Sequence, residues 1–534
     1  MMTLGTESPR GKRRVIHTSD GGSYFASTPN ARGDGTHIYS DPARPEELQQ
    51  WIRNLAAGGA DTYVPEVYCD GWYFFFRGEV CPWYEDDNSK RFIPMMDSGT
   101  MPLEIFVDEA HRQGMELLAG FRMNDRHGMH KSFFEEHKDW MLKDLGYGVD
   151  YSLPEVRDWI FSIAKEVPHW FDVDGLEFNF IRAGYCFPPA TASEQHPIMT
   201  GFMRRVRKML DELGEKRGRH LLLGARVPTT LEQCRHFGFD VPTWVADKLI
   251  DYIAPTDFHC TDFNVKYEEF AEVARSSDSC YLYPAVQPDL PGNCAVMSLD
   301  NFRAAVQNLY GAGADGFSTH NYDAYMWGQL RNKGYPGTTD MYPKALAYFR
   351  TLRDPQAVAD GDRHYLFFPV FPHELRPHGY RGCAVPHRRA VLKRSGLNRR
   401  AEYWFRICEH LPESVELPMG ARGLYEGLFN KAGKVPGVWL IFRAMGMRPG
   451  DEIAVDINGQ EMPAENIRHV WHQEGRPGWE GRPLPPYTEC QLSLTAPPGV
   501  YGDNYLGLKL LRSANGAEED LVVDELEVMV HLDH

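Results

Sequence analysis

Short runs of apolar and β-branched residues alternate with amphipathic stretches of helical period from about residue 14 to residue 353. Strand and helix patterns that alternate in this way indicate parallel strands joined by crossover helices. The predicted strands are Val15–Asp20, Asp61–Val67, Glu116–Met123, Val173–Ile181, Leu221–Val227, Ile250–Asp257, Cys280–Gln287 and Gly313–His320. Eight such units predict an α/β fold closed into a (β/α)8 TIM barrel.

The stretches between these strands carry apolar residues at helical spacing, and several open with proline or an acidic first turn. The predicted helices are Pro45–Ala57, Pro102–Gln113, Pro154–Glu166, Ile198–Leu213, Val241–Leu249, Tyr267–Ser276, Leu299–Tyr310 and Pro343–Leu352. An open doubly wound sheet would more often place a glycine-rich phosphate loop after its first strand. The chain instead reads GGSYFAST there, which favours the barrel.

The pattern changes after Arg353, where the polar connector Asp354–Asp362 leads into strand-like segments separated by turn residues. Those segments are His364–Val370, Ala401–Cys408, Val438–Phe442, Asp451–Ile457, Cys490–Ala496, Tyr505–Leu511 and Leu521–His531. Asn458–Gly459 is a strong hairpin signal, because both residue types tolerate positive φ. We therefore predict a tail over 1–13, a barrel over 14–355 and a C-terminal antiparallel β-sandwich over 362–534. The sandwich is accessory, either binding carbohydrate or supporting the barrel.

Composition narrows the classes of partner. The net charge of −17 argues against nucleic acid or an anionic membrane, both of which need clustered cations. The basic N-terminal region has no apolar run behind it, so we expect a cytoplasmic protein, or a secreted one if a leader has been removed. The ten cysteines show no metal-ligand spacing, and we expect neither metal nor cofactor. A neutral ligand remains easy to accommodate, and the oligomeric state, including a homo-oligomer, stays open.

The fourth predicted strand carries the clearest candidate chemistry. A TIM barrel builds its active site at the C-terminal ends of its strands. In FDVDGLEFNFIR, Glu177 and Asn179 share one strand face while Phe178 shares the other with its aromatic neighbours. If the aromatic face packs against helices, Glu177 points into the barrel, where a buried charge is costly unless it is used or paired. Glu177 is therefore a candidate catalytic residue or the structural partner of a neighbouring arginine.

Other polar side chains follow the remaining strands and their loops. Together they form the predicted substrate-binding set Asp20, Glu66, Tyr68, Trp72, Arg122, Asn124, Asp125, His127, Asn179, Arg182, Arg226, His259, Gln287, His320 and Tyr322. Glycoside hydrolysis usually needs two carboxyl groups that flank the scissile bond. We assign Glu177 as the general acid/base, on the expectation that its aromatic neighbours raise its pKa. Asp257 is the favoured second carboxylate, with Glu66 and Asp125 behind it, and the stereochemistry is left open.

Three sequence motifs resemble a known family. LPEVRDWIFSIAKEV, followed by FDVDGLEFNFIR, is similar to the fourth-strand region of the glycosyl-hydrolase-like family-10 barrels. FFEEHKDWMLKD resembles the segment before that strand, and KLIDYIAPTDF resembles their sixth strand. The resemblance implies a barrel glycosidase. Related barrels carry an acidic residue where this chain has Asn179, so that catalytic role cannot be transferred here.

Three functions follow as hypotheses. The leading one is hydrolysis of a glycosidic bond in an oligosaccharide or polysaccharide by carboxylate acid/base catalysis. The departure at Asn179 favours a second, a barrel that binds carbohydrate without cleaving it. The third is a lyase or isomerase acting on an acidic sugar. In it His127, His259 or His320 would be the base, while arginines at the strand ends, Arg122, Arg182 and Arg226, would hold the carboxylate.

Overall fold

The fold is that of a computed structural model. It describes residues 13–19, 42–85, 89–125, 130–182, 184–257, 261–287, 297–320, 322, 344–367, 389–414, 436–474 and 485–532. A parallel barrel comes first in the chain and an antiparallel β-sandwich follows it, which confirms the predicted fold class. In these ranges no helix combines the length and the hydrophobicity that a membrane crossing requires.

Eight parallel strands form the barrel. They are β1 (Arg14–Ser19), β2 (Thr62–Cys69), β3 (Glu116–Arg122), β4 (Gly175–Asn179), β5 (Leu222–Val227), β6 (Tyr252–Pro255), β7 (Tyr281–Leu282 and Ala285–Val286) and β8 (Gly316–His320). Each pairs with the next along the chain, and β1 also pairs with β8. Strands β4 and β6 are shorter than their patterns predicted, so Ile181 and Asp257 lie just beyond the strand ends.

Strand β7 closes the ring although it is interrupted. Its first half pairs with β6 at Tyr252 and Ile253, and its second half pairs with β8 at Ser318 and Thr319. Pro284 lies between the halves and has no N–H to donate to a neighbouring strand. Its carbonyl still accepts from the Ser318 amide at 2.9 Å, so the barrel remains continuous.

Helices connect the strands on the outside of the barrel. The main ones are α1 (Pro45–Gly58), α2 (Pro102–Arg112), α3 (Pro154–Trp170), α4 (His196–Arg217), α5 (Val241–Ala246), α6 (Glu268–Arg275), α7 (Leu299–Gly311) and α8 (Tyr348–Arg353). Proline opens the first four within their first two positions, where its missing N–H costs no helical hydrogen bond. Helix α7 begins instead at a capping box between Ser298 and Asn301. The final helix is shorter than predicted, because a 3-10 turn, Lys344–Ala347, precedes it.

Side chains of alternate strand residues fill the interior of the barrel. Ile16, Val64, Leu118, Tyr252 and Tyr283 pack together there as an apolar cluster that is separate from the main core. The opposite faces of the strands join the larger core beneath the helices. The two cores arise because successive side chains of a strand point to opposite faces. On each strand, the inward-facing residues that follow the apolar cluster therefore lie nearer the C-terminal mouth of the barrel.

The C-terminal domain consists of two antiparallel sheets. Its strands are β9 (Arg363–Phe367), β10 (Ala390–Leu392), β11 (Arg400–Ile407), β12 (Gly437–Met445), β13 (Glu452–Ile457), β14 (Gln460–Glu461), β15 (Arg468–His472), β16 (Tyr487–Ser493), β17 (Gly502–Arg512) and β18 (Leu521–His531). One sheet joins β9, β10, β12, β15, β16 and β18, and the other joins β11, β13, β14 and β17. Asn458 and Gly459 both have positive φ between β13 and β14, as the hairpin signal predicted. Strands β10, β14 and β15 were not predicted.

Buried amide side chains attach the sandwich to the barrel. Asn308 on α7 donates to the Arg406 carbonyl at 3.1 Å and accepts from the Cys408 amide at 2.8 Å. Gln307 donates to the Cys408 carbonyl at 2.8 Å, and Asn264 accepts from the Arg406 amide at 2.8 Å. Because these bonds satisfy main-chain groups around the end of β11, the two domains share a specific polar interface.

We expect Asn308→Ala to lower the free energy of unfolding by about 2 kcal/mol, because it leaves buried main-chain groups unsatisfied. Urea denaturation followed by circular dichroism would measure the loss. Gln50→Ala, an exposed change on α1, is the control and should change stability by less than about 0.5 kcal/mol. Equal effects of the two substitutions would contradict a stabilising role for the amide contacts.

Candidate active site at the barrel mouth

Glu177 points into the barrel but is enclosed there. Arg226 donates to both of its oxygens, at 3.0 Å from Nε and 3.2 Å from Nη2. Thr18 Oγ1 lies 3.1 Å from one oxygen, and the Tyr252 hydroxyl donates to the other at 2.8 Å. Each carboxylate oxygen therefore receives two hydrogen bonds, and the side chain is only 1% exposed.

Arg226 is equally satisfied. Besides Glu177, its guanidinium donates to Thr256 at 2.9 Å, to Thr18 at 2.8 Å and to Ser318 at 3.4 Å. All five N–H groups are thus engaged, and the side chain is fully buried. Since neither member of the pair retains a free bonding position, the arrangement corresponds to the structural alternative stated for Glu177 above.

Gly224 makes this pair possible. The position faces the interior on β5, and a Cβ there would lie 2.0 Å from the ring of Tyr252. Without a side chain at residue 224, the Tyr252 ring can cross the interior to reach Glu177. Burial raises the pKa of Tyr252 well above its usual value, and the neighbouring Glu177 charge adds to the effect. The phenol therefore remains a hydrogen-bond donor at neutral pH.

A second group of polar side chains lies at the C-terminal strand ends. We call it the mouth cluster, and its members are Glu66, Arg122, Asp125, Asn179, Arg182 and His320. Arg122 donates to Glu66 through Nε and to Asp125 through Nη1, the latter at 2.5 Å. One guanidinium thus holds two carboxylates from β2 and from the loop after β3. Arg182 approaches Asp125 at 3.5 Å and completes the ion-pair network.

Glu66 is the acidic centre of the mouth cluster. Burial by itself raises its pKa, but Arg122, His320 and Arg182 outweigh burial and lower the pKa to about 2. Asn179 donates to Glu66 Oε1 at 2.5 Å, and His320 Nε2 lies 3.5 Å from the same oxygen. Glu66 is therefore ionised at neutral pH and held in a fixed orientation.

His320 faces Glu66 within the mouth cluster. Burial lowers its pKa below the ordinary histidine value even though the Glu66 carboxylate acts in the opposite direction. The imidazole is accordingly neutral at pH 7 and able to accept a proton.

Asp257 lies just past the end of β6. Its carboxylate accepts from the Asp262 amide at 3.2 Å and from Thr229 at 3.5 Å. Gln287 donates to the Asp257 carbonyl at 3.0 Å from the end of β7. None of these Asp257 contacts involves Glu177 or one of its partners.

Several predicted contact residues bond to or pack on other protein groups. A β-bulge in β2 separates the register of Glu66 from that of Tyr68, which packs outward on Phe121 and Trp159. Asn124 bonds main-chain groups of Val149 and Tyr185, and Tyr322 packs between the rings of Phe302 and Phe349. Trp72 is half-buried beside the mouth. Asp20, His127 and His259 lie outside the described residues.

Among the residues that the structure describes, Cys69, Asp70 and Asp125 form one group whose possible ligand atoms lie within 4.8 Å of one another. Arg122 already donates to Asp125 and lies 3.8 Å from the Cys69 sulfur. Burial, reinforced by Asp125 and Asp70, raises the pKa of the Cys69 thiol well above its usual value. A positive guanidinium and a protonated thiol fit a metal ion poorly, since metal binding requires the thiolate.

Sequence reasoning did not single out Thr18, Tyr252, Thr256, Cys69 or Asp70. The first three share the inward strand parity that identified Glu177, so that signal would have found Thr18 and Thr256. Tyr252 was hidden because a tyrosine deep in a strand has the pattern of a core residue.

Comparison with known proteins bears on the first half of the barrel. Residues 31–185 match the family described as Glycosyl hydrolase-like 10. This segment resembles that family. The match contains the fourth-strand motifs and five members of the mouth cluster, all except His320, so the resemblance inferred from the sequence is confirmed over these residues.

The glycosyl hydrolase DigH of Escherichia coli (strain K12) is 33% identical over 163 residues. The alignment covers 26% of this chain and 36% of that protein, so the chain spans little more than a third of the relative's length. Among solved structures, the α-L-fucosidase isoenzyme 2 of Paenibacillus thiaminolyticus is 12% identical with a TM-score of 0.38. The alignment covers 66% of this chain and 51% of the fucosidase chain. The PgaB glycoside hydrolase domain of Bordetella bronchiseptica has 11% identity and a TM-score of 0.38, covering 61% and 100%.

We expect Glu177→Gln to destabilise the barrel by about 3 kcal/mol, because it leaves the buried Arg226 charge without a carboxylate. Chemical denaturation followed by tryptophan fluorescence would show the lower midpoint. Glu215→Gln, on the exposed face of α4, is the matched control and should leave the midpoint unchanged. Wild-type stability in the Glu177 variant would contradict the assignment of a structural ion pair.

Glu66 should contribute a pH-dependent part of the stability. Its pKa is about 2 when folded, against 4.5 as the reference value, so the contribution is present above about pH 4.5. It is lost as the pH falls toward 2 and amounts to about 3 kcal/mol. Denaturation curves of wild type and Glu66→Gln across this range should therefore converge at low pH. A constant difference between them would contradict a depressed pKa.

Proposed function

We propose that this protein is a glycoside hydrolase whose reaction takes place at the mouth cluster, with Glu66 as its ionised carboxylate. The observation that carries the proposal is the position of Glu66 at the C-terminal strand ends, where Arg122 donates to its carboxylate and Asn179 orients it. The match of residues 31–185 to a glycosyl hydrolase-like family supports it, since that segment includes all three residues.

The chemistry follows from the charge of Glu66. A carboxylate that stays ionised at neutral pH serves as a nucleophile, as a base for water or as a stabiliser of an oxocarbenium-like transition state. It does not serve as the proton donor. We assign that part to Asp257, which follows β6 at the same end of the barrel. Asn179 would act as a positioning residue that fixes Glu66 through the 2.5 Å hydrogen bond.

Glu177 takes a different part in this proposal from the one expected from the sequence. Its four hydrogen bonds hold Arg226 and Tyr252 beneath the mouth. Protonating Glu177 for acid catalysis would break a buried ion pair at considerable cost. We therefore propose a positioning role for Glu177, in which it maintains the floor of the site.

The test is a panel of oligosaccharides with release of reducing ends as the readout. Glu66→Gln and Asp257→Asn should each lower kcat by about a thousandfold, the range expected for loss of an acid, base or nucleophile. Both variants should retain the far-UV circular dichroism of wild type. Glu215→Gln should keep full activity. Unchanged turnover in Glu66→Gln would remove Glu66 from the mechanism.

A second function, binding of carbohydrate without cleavage, is favoured by one feature of β4. That strand carries Asn179 where related barrels have an acidic residue, and its remaining carboxylate, Glu177, is fully engaged. Glycan binding by wild type in calorimetry, with no reducing ends released from any bound glycan, would select this function over hydrolysis.

A further inference from the structure

A run of half-buried aromatic rings lies beside the mouth cluster. We call it the aromatic ledge, and its members are Trp72, Tyr84, His130, Phe133, Trp140 and Trp159. Trp72 lies 5.6 Å from Tyr84 and 4.2 Å from His130 between ring centroids. His130 leads on to Phe133 at 6.4 Å, which contacts Trp140 and Trp159. The rings thus form one connected surface.

The ledge is continuous with the candidate active site. His130 donates its amide to the Asp70 carbonyl at 3.1 Å, and the Asp70 carboxylate accepts from the Asp125 amide at 3.2 Å. Gly71 permits this close approach, because it has a φ of +86° and a Cβ there would lie 3.3 Å from the Cβ of His130. Trp72, the first ring of the ledge, follows Asp70 by two residues in the sequence, so the ledge begins next to the mouth cluster.

Rings of the ledge pack against the core and remain partly exposed. Phe133, Trp140 and Trp159 pack against the main core, and His130 Nδ1 accepts from the Phe133 amide at 3.1 Å. Among the described residues, no protein group accepts a hydrogen bond from the indole N–H of Trp72, Trp140 or Trp159. Flat apolar faces that carry unused N–H donors suit pyranose rings, which present an apolar face and a rim of hydroxyl groups.

We infer that the aromatic ledge binds additional sugar residues of a glycan chain whose scissile bond lies at the mouth cluster. The inference rests on the proposed function and extends it, because it makes an extended chain the preferred substrate. A single sugar or disaccharide would occupy the mouth without reaching the outer rings. Longer oligosaccharides would gain stacking on Trp72 and then on the rings beyond His130.

The experiment compares chitin-, cellulose- and xylan-derived oligosaccharides from disaccharides to hexasaccharides. Trp72→Ala and Trp140→Ala should each lower kcat/KM for the longest hydrolysed member about tenfold, the loss expected from one stacking contact. The shortest hydrolysed member should change by less than about twofold. Trp72→Phe keeps a stacking ring and should retain most of the activity on long chains.

Trp170→Ala is the matched control, since Trp170 is 46% exposed on α3 and lies outside the ledge. It should leave every kcat/KM value unchanged. Equal losses on short and long chains in Trp72→Ala, or no loss on either, would overturn the inference while leaving the hydrolytic proposal intact.

If no substrate is cleaved, a binding experiment tests the aromatic ledge independently of the hydrolytic proposal. Wild type would then be run in native gels that contain xylan, hydroxyethyl cellulose or glycol chitin. Retardation of wild type and Trp170→Ala, but not of Trp72→Ala, would support the ledge although hydrolysis had failed. Absence of retardation in all three polymers, together with no cleavage, would overturn the ledge as a glycan-binding surface.

Discussion

The buried ion pair between Glu177 and Arg226 is the interaction on which the interior of the barrel depends. A charge removed from water must be compensated by an opposite charge and by a full set of hydrogen bonds. Here hydroxyl groups from β1, from β8 and from Thr256 just after β6 complete the hydrogen bonds of the guanidinium, so one ion pair connects strands from across the barrel. This requirement fixes the relative positions of these strands below the mouth more tightly than apolar packing alone would.

In the mouth cluster, buried carboxylates are again compensated by arginine and by hydrogen bonds. Arg122 is shared between Glu66 and Asp125, and Glu66 also receives the Asn179 amide. The Glu177 carboxylate has its bonding positions filled below the mouth, whereas Glu66, which is equally buried, lies at the strand ends, where barrels build their sites. The neighbours of each carboxylate, rather than its residue type, therefore decide which chemical role it can take.

The sequence supported the barrel because strand and helix periods are local properties, and eight repeats leave few other architectures. The alternation of residues around Glu177 likewise predicted that its side chain points into the barrel. The partners of Glu177 could not be predicted from the sequence, because Arg226 and Tyr252 reach it from other strands. The missing side chain at Gly224 leaves the space through which the Tyr252 ring extends. The bulge that turns Tyr68 away from Glu66 is equally a matter of pairing between two strands. The short strands β10, β14 and β15 lack a pattern long enough to distinguish them from turns.

The contact between α7 and β11 makes the barrel depend on the C-terminal domain. Asn308 and Gln307 complete hydrogen bonds on backbone atoms that belong to the other domain. A barrel expressed without its partner would present these amides, together with the apolar surface around Phe263, to water. The barrel is consequently not an independent unit, and transferring it into another protein would require a replacement for the surface that β11 now covers.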